Sequence, residues 1–421
     1  MHMIAKVVHD DLNGGGGSEY LAVSTISLLN EMGFEVDLAS FKSPNIDELK
    51  NDFGNLKLSI KNVKLIDIFS LLRIDGEGFN QTGGGQQNQQ QMLLLYEDSA
   101  YDLVINTHGD LLPYYSDNNK HNYNTRSKSN FITYCHFPLV PQLIKNGDYA
   151  QFIAKWITNT STSIAANKDL MDKLFTNALK LYNIMIEKGV VLTNSHFSKN
   201  AIKSQYKNVN PIVIYPPANV EKFRDAALNS NERENSILVL SRFSPDKEVE
   251  NAIKIADIMK KKEIDAKMTL AGNISAENHQ YLNSLEQMIE DKGLMDRVHI
   301  KVNVSFSHLL DLMKQSKVLL HPLAGEPFGI AIVEAMSAGL IPVVPDVGGN
   351  TEFVPSQYHF HTFEEAASII KHALLLSSKN SERIRMSKIA SKFSVKNYKE
   401  KLKATINSKL AGTHTTKATT V

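Results

Sequence analysis

One stretch, Val318 to Glu352, restricts what this chain can fold into: VLLHPLAGEPFGIAIVEAMSAGLIPVVPDVGGNTE. It begins as a short apolar run that breaks at Pro322. A loop with Gly325 and Glu326 follows. The apolar spacing predicts a helix from about Phe328 to Ala338, closed by Gly339, and then a second strand over Ile341 to Val344. Strand, loop, helix and strand in that order make a crossover unit of a parallel sheet. Two carboxylates stand out, Glu326 in the loop and Glu334 in the helix, with seven residues between them. Helical rise of about 1.5 Å per residue would set them on the order of 10 Å apart. A helix N-terminus lies between them, and its free N–H groups favour phosphate. That separation is roughly the span from a sugar ring to a ribose, so one element could address sugar, diphosphate and ribose together.

The 421 residues suggest two or three domains. A net charge of +1 gives no global field for nucleic acid, and no nucleic-acid partner is expected. Cys135 is the only cysteine, so no disulfide can form within the chain, which fits a reducing compartment. The apolar run at the N-terminus is too short for a secretory signal, and no run of about 18 apolar residues offers a membrane span. The Asn80, Asn159, Asn273 and Asn303 sequons then carry no expected modification.

Ile4 to Val8 reads as a buried strand, with His9, Asp10 and Asp11 leaving its end. The loop Asn13 to Ser18 holds four consecutive glycines before a helix expected near Glu19. Strand, glycine loop and helix is the layout of a phosphate-binding turn, and a tight turn alone explains it equally well. Further apolar runs at Val36–Ala39, Val63–Ile68, Leu103–Asn106, Phe131–Cys135 and Val190–Asn194 predict a doubly wound α/β domain. Two strand ends carry polar clusters, Asn106 to Asp110 and Tyr134 to Pro138. Ligands gather beyond such ends, which favours His136 and Asp110. Residues 76–91 are rich in Gly and Gln and read as a surface insertion without chemistry. Residues 139–188 read as helices, with Phe152, Trp156, Leu174 and Leu181 among interspersed lysines. Packing on the sheet is the expected role, and contact with anionic lipid is the alternative.

Pro211 to Val220, with paired prolines at Pro216 and Pro217, reads as a hinge. A second α/β series follows: strands at Ile237–Leu240, Met268–Ala271 and Val298–Val302, then the opening stretch. After the first of these comes Ser241 to Glu248, leading into a helix expected through Ile264. Arg242 and Lys247 in that loop suit a diphosphate, because arginine forks across two oxygens and lysine adds a compact charge. A solvated surface loop is an equal reading of those residues alone.

The E-x7-E spacing, with EPFG at its start and EAMSAGLIPVV after it, resembles the family 4 retaining glycosyltransferases. The Ser241–Glu248 loop resembles that family's Gly-Arg…Pro-x-Lys-Gly pattern, with Ser241 and Glu248 standing in for the two glycines. Tyr134 to Pro138 is similar to the Tyr-x-His-Phe/Tyr-Pro segment of dolichol-pathway mannosyltransferases. The resemblance implies a GT-B fold, two Rossmann-like doubly wound parallel-sheet domains facing a central cleft. It also implies that Gly15, Gly16 and Gly17 lie near the donor diphosphate and the acceptor. Arg242 and Lys247 would hold the diphosphate with the N–H groups near Phe328, Gly329 and Ile330. Glu334 would bind the ribose hydroxyls, and Glu326 those of the donor sugar. His136 would sit beside the transferring sugar, and Asp110 is a weaker acceptor-side candidate. Where Asn350 stands the family often has proline, a departure expected to alter donor contacts.

The expected organisation is an acceptor-side domain over 1–215, a nucleotide-sugar domain over 216–392, a helix over 393–410 returning to the first domain, and a disordered tail over 411–421. The expected activity is retaining transfer of a hexose from a UDP-hexose or GDP-mannose donor to a glycan or polyprenyl- or dolichyl-linked acceptor. No metal and no cofactor are expected, since no Asp-x-Asp motif occurs. The expected place is the cytoplasm, with peripheral membrane contact open. Alternatives are another GT-B reaction, such as a synthase or phosphorylase (without a motif for a pyridoxal lysine), and a non-catalytic sugar-nucleotide-binding scaffold subunit.

Overall fold

A computed structural model describes residues 3–53, 57–71, 101–115, 130–150, 168–231, 233–377 and 379–415. The 76–91 insertion, Phe152, Trp156, Ile157, Asn80, Asn159 and residues 416–421 lie outside the described residues. The chain divides into two compact units, one of residues 1–215 with 398–421, the other of 216–397.

The first unit is built on a parallel sheet of β1 (Met3–Val8), β2 (Phe34–Ser40), β3 (Asn62–Leu65), β4 (Leu103–Asn106), β5 (Phe131–Tyr134), β6 (Val190–Thr193) and β7 (Ile212–Val213). Among the described residues its seven strands lie in the order β3-β2-β1-β4-β5-β6-β7. Strand order therefore reverses between β1 and β4, the place where open sheets of this kind leave a crevice beyond their C-terminal ends. The central strands are apolar runs buried throughout, as a sheet covered on both faces demands. The helix Lys168–Lys188 packs into the same core as Val104 and Phe131. Leu174, Tyr182, Met185 and Ile186 are buried there, while Lys173, Lys180 and Lys188 are exposed. Its apolar positions are thus used in packing, as expected of the helices in 139–188. The last helix runs from Val395 past its expected end at Leu410 to Thr415, so the first residues assigned to a tail are helical. Tyr398 shares a 2.7 Å hydroxyl hydrogen bond with Thr25, and the Lys399 ammonium meets Glu31 at 2.7 Å.

The second unit holds six parallel strands: β8 (Ser236–Leu240), β9 (Lys267–Gly272), β10 (Val298–Val302), β11 (Val318–Leu320), β12 (Ile341–Pro345) and β13 (His359–Phe360). Their order, β10-β9-β8-β11-β12-β13, reverses between β8 and β11. The two loops singled out by sequence, 241–248 and 321–329, leave these two neighbouring strands. Pro342 is tolerated inside β12 because β13 pairs only with Val344 and Pro345, so no strand needs the N–H that proline lacks. The helix after β8 spans Glu250–Lys261 and stops short of Ile264. No described helix is long and apolar enough to cross a membrane.

Candidate functional site

In the second unit, β8 and β11 bring together Lys247 and Glu326, which stand 79 residues apart in sequence. The Lys247 ammonium donates to the Glu326 carboxylate at 3.2 Å. His321 Nε2 lies 3.7 Å from the same oxygen. Glu326 is held by its backbone as well. It bridges to Gly348, and the Gly349 N–H donates to its carbonyl at 2.8 Å. Gly348 has φ 131°, and a Cβ there would lie 2.7 Å from the Glu326 carbonyl oxygen, so only glycine lets the two loops touch. Burial works against ionisation of Glu326, but the Lys247 ammonium beside it holds its carboxyl below the ordinary range. Burial keeps His321 neutral by lowering its pKa, and its Nε2 has no hydrogen-bond partner among the described residues. The site is therefore a lysine already neutralised by a glutamate, beside a neutral imidazole.

The helix begins at Ile330, not at Phe328. Gly329 takes a left-handed conformation (φ 94°) and turns the chain into it. Only part of the interval between the two acids is helical, so simple helical rise does not describe their separation. Phe328 is 2% exposed and packs between Phe353 and Phe393, with ring centroids 5.1 and 5.3 Å away. Its backbone N–H bonds the Glu326 carboxylate. The Phe328 ring is thus a packing group that shapes the loop, while its N–H is turned to the Glu326 carboxylate. Arg242 stands apart from Lys247 and Glu326: its side chain is 70% exposed and lies 3.7 Å from Asp246.

Glu334 is the lone ionisable side chain of the helix Ile330–Ser337, whose Ile332, Val333, Ala335 and Met336 are fully buried. Burial raises its carboxyl to about 7, against one opposing hydrogen bond from the Asn219 backbone. At the far end of this helix two buried arginines, which sequence reading missed, take the last carbonyls. Arg233 donates to Ala338, and Arg383 donates to Gly339 at 2.9 Å and to Lys317 at 2.8 Å. Asn350, whose departure from proline was expected to alter donor contacts, is fully buried and donates to the Pro345 carbonyl at 3.2 Å.

The first unit carries a second polar cluster at the reversal between β1 and β4. His9 and Asp10 leave β1, Thr107 to Asp110 leave β4, and His136 follows β5. Asp10 accepts from His108 Nδ1 at 2.5 Å, and Asp110 lies 3.8 Å from His108 Nε2. Burial opposes charge on His108, but Asp10 and then Asp110 raise it to about 10, so it is an imidazolium at neutral pH. His9 stacks on it at 4.9 Å and, lowered by burial to about 3, stays neutral. Ligating atoms of His9, Asp10 and His108 lie within 4.8 Å of one another. The rings are nearly parallel, 15° apart, so their in-plane lone pairs do not converge on one point, and the geometry is that of a hydrogen-bonded ion pair. His136 is kept neutral by burial, and its ring lies 6.2 Å from that of His108.

The helix after the glycine loop starts two residues ahead of the expected Glu19. The helix starts at Gly17, and the Glu19 side chain folds back over the loop, where Cβ atoms on Gly14 and Gly16 would meet its carboxylate at 2.5 and 2.8 Å. The space next to Gly14 and Gly16 is thus shared with an anion of the chain itself. The Asp10–His108 pair was missed as a pair because its members are 98 residues apart. The only signal was that each leaves a predicted strand end.

Two parallel-sheet α/β units of this order make a GT-B protein, and solved structures agree. The Anabaena protein HepE, solved with UDP and glucose, superposes with a TM-score of 0.64 at 18% identity over 97% of this chain and 100% of that one. The family model described as "Glycosyl transferases group 1" matches residues 220–393. The matched stretch lies within the second unit, which is thus similar to the group 1 glycosyl transferases. A Neurospora crassa protein named GDP-Man:Man(3)GlcNAc(2)-PP-Dol alpha-1,2-mannosyltransferase is 27% identical over 62% of this chain and 53% of its own length. The Homo sapiens protein of the same name is 30% identical over 48% of this chain and 44% of its own. The chain thus spans about half the length of these curated relatives.

Proposed function

We propose that the chain is a retaining hexosyltransferase that moves mannose from GDP-mannose to a glycan acceptor carried on a lipid diphosphate. The convergence of Lys247, Glu326 and His321 at the β8–β11 reversal, beside the helix that bears Glu334, carries this reading. A departing nucleoside diphosphate develops negative charge that must be met as the glycosidic bond breaks. Lys247 and Arg242 supply cations, and the Gly329 and Ile330 N–H groups supply the positive end of a helix. A diphosphate competes with Glu326 for Lys247, which frees the Glu326 carboxylate to accept from donor-sugar hydroxyls. Glu334 accepts from the ribose. His136 and Asp110, on the first unit, are assigned to the sugar and acceptor side. The names of the relatives support mannose, GDP and a dolichyl-linked acceptor, and such an acceptor implies work at a membrane surface.

The test is donor hydrolysis across GDP-, UDP- and ADP-sugars by the wild-type chain, Glu334→Ala and Arg242→Ala. The reading expects slow GDP release from GDP-mannose, reduced at least about tenfold in each variant. Release that is equal in all three proteins contradicts the site. Donor binding without release favours a binding subunit instead.

A further inference from the structure

Glu334 projects from an apolar helix whose neighbouring side chains, Ile332, Val333, Ala335 and Met336, have no donor to hold it. Its hydrogen bond comes from the Asn219 backbone N–H. The sequence explains why that N–H is there to give. The chain enters the second unit at Pro216. Pro216 and Pro217 have no N–H, so Ala218 and Asn219 supply the first donors of the entering segment. Pro216, Pro217 and Ala218 are all buried. The Ala218 N–H donates to the Phe393 carbonyl at 2.9 Å, and Ala218 bridges to Ser394 in parallel. Phe393 and Ser394 belong to the segment by which the chain leaves this unit at Asn397. The two segments are thus stapled together, one residue before Asn219. The helix that follows, Val220–Ala227, is held to the helix of Glu334 at its far end as well. Arg233 donates to the carbonyls of both Ala227 and Ala338, and a Cβ on Gly339 would lie 2.9 Å from Leu228. The leaving segment also reaches the other acid, because Phe393 packs on Phe328, whose N–H bonds Glu326.

We propose that Asn219 is a positioning residue for Glu334: its backbone N–H, placed by the proline pair and the Ala218–Phe393 staple, fixes one carboxylate oxygen so that the other meets the ribose. The inference rests on the transferase reading and adds a residue that acts on the donor only through Glu334. The N–H opposes the burial that favours the protonated acid, so it also decides at what pH the carboxylate forms. No charged side chain among the described residues competes for that role. On the helix Val220–Ala227, Glu221, Lys222 and Asp225 are exposed, and Arg224 is bonded to Asp225. On the neighbouring helix Ser381–Ala390, Arg383 serves carbonyls at the far end, Glu382 accepts from Arg385 and Tyr358, and Lys388 is exposed.

Asn219→Pro removes the N–H and little else, since Asn219 has φ −77°, a value proline shares. Full-length wild type, Asn219→Pro, Asn219→Ala and Glu334→Gln would be titrated with GDP from pH 5.5 to 9. The nucleotide's own titration is common to all four, so differences between proteins are read. Wild-type affinity should rise with a midpoint of about 7, and Asn219→Ala, which keeps the N–H, should keep that midpoint. In Asn219→Pro the midpoint should move up by about one pH unit, which weakens binding about fivefold at pH 7 and much less at pH 9. Thermal unfolding checks that each variant folds. If Asn219→Pro does not, amide exchange of wild type decides: protection of the Asn219 N–H, corrected for its intrinsic rate, should grow about fivefold or more from pH 6 to 8 as the carboxylate forms. An unmoved midpoint in Asn219→Pro, the same upward shift in Asn219→Ala, or flat protection would overturn the positioning role while leaving the transferase reading in place. GDP that binds none of the proteins, or binds wild type and Glu334→Gln alike at every pH, would overturn both.

Discussion

Glu334 shows how one side chain can couple ligand binding to stability. Its carboxyl sits in an apolar helix, and burial raises it to about 7. The folded chain therefore holds this proton over a pH range in which the unfolded chain, near 4.5, has released it. Stability is full below about 4.5 and falls as pH rises to about 7, by on the order of 1–3 kcal/mol for a group that water still partly reaches. Glu334→Gln should remove that slope, so its melting temperature should exceed wild type at pH 8 and match it at pH 5. Nucleotide binding should respond oppositely. Wild-type affinity for GDP rises as pH passes about 7 and the carboxylate forms, whereas the variant is weaker and flat. Thermal melts and GDP titrations from pH 5 to 8 check both arms, and parallel profiles for the two proteins would contradict the assignment.

At the scale of elements, the strands were legible because buried parallel strands are short apolar runs, and their bounds shift by a residue or two at most places. The helix after Gly329 was placed two positions too early. Phe328 looks like a helical residue by apolar spacing, but the left-handed Gly329 separates it from the helix. The individual site residues stood out at strand ends. What the chain pattern did not reveal was their pairing, Lys247 with Glu326 and Asp10 with His108, since only strand order brings such distant residues together. The buried arginines were illegible for a related reason. Arg383 is 1% exposed and donates to the carbonyls of Ser377, Leu376, Lys317 and Gly339, a role no local pattern marks. Together with Arg233 it neutralises the C-terminal end of the helix that carries Glu334. Arg383→Ala leaves several buried carbonyls unmet and should destabilise the second unit by about 3–5 kcal/mol. Arg383→Lys should recover only part of this, because an ammonium cannot reach all of those carbonyls at once. Denaturant unfolding of the full chain followed by a probe in the second unit reads the effect. A loss under about 1 kcal/mol would show that the helix end is held by other means.

The whole molecule consists of two units, each with its own parallel sheet and its own polar cluster at the point where strand order reverses. On the proposed reading the charged ligand falls to the second unit, where Lys247 and a helix N-terminus lie with the exposed Arg242 on the loop after β8, and the hydroxyl-rich ligand to the first, where carboxylates predominate. Differential scanning calorimetry of the full chain with and without GDP tests this assignment most directly. A ligand at about 100 times its Kd stabilises the unit it binds by about 2.7 kcal/mol. GDP should raise the melting transition of the second unit in wild type, and the shift should largely vanish in Lys247→Met. A GDP-dependent shift that survives Lys247→Met unchanged, or no shift in wild type, would contradict the placement of the donor nucleotide at the β8–β11 reversal.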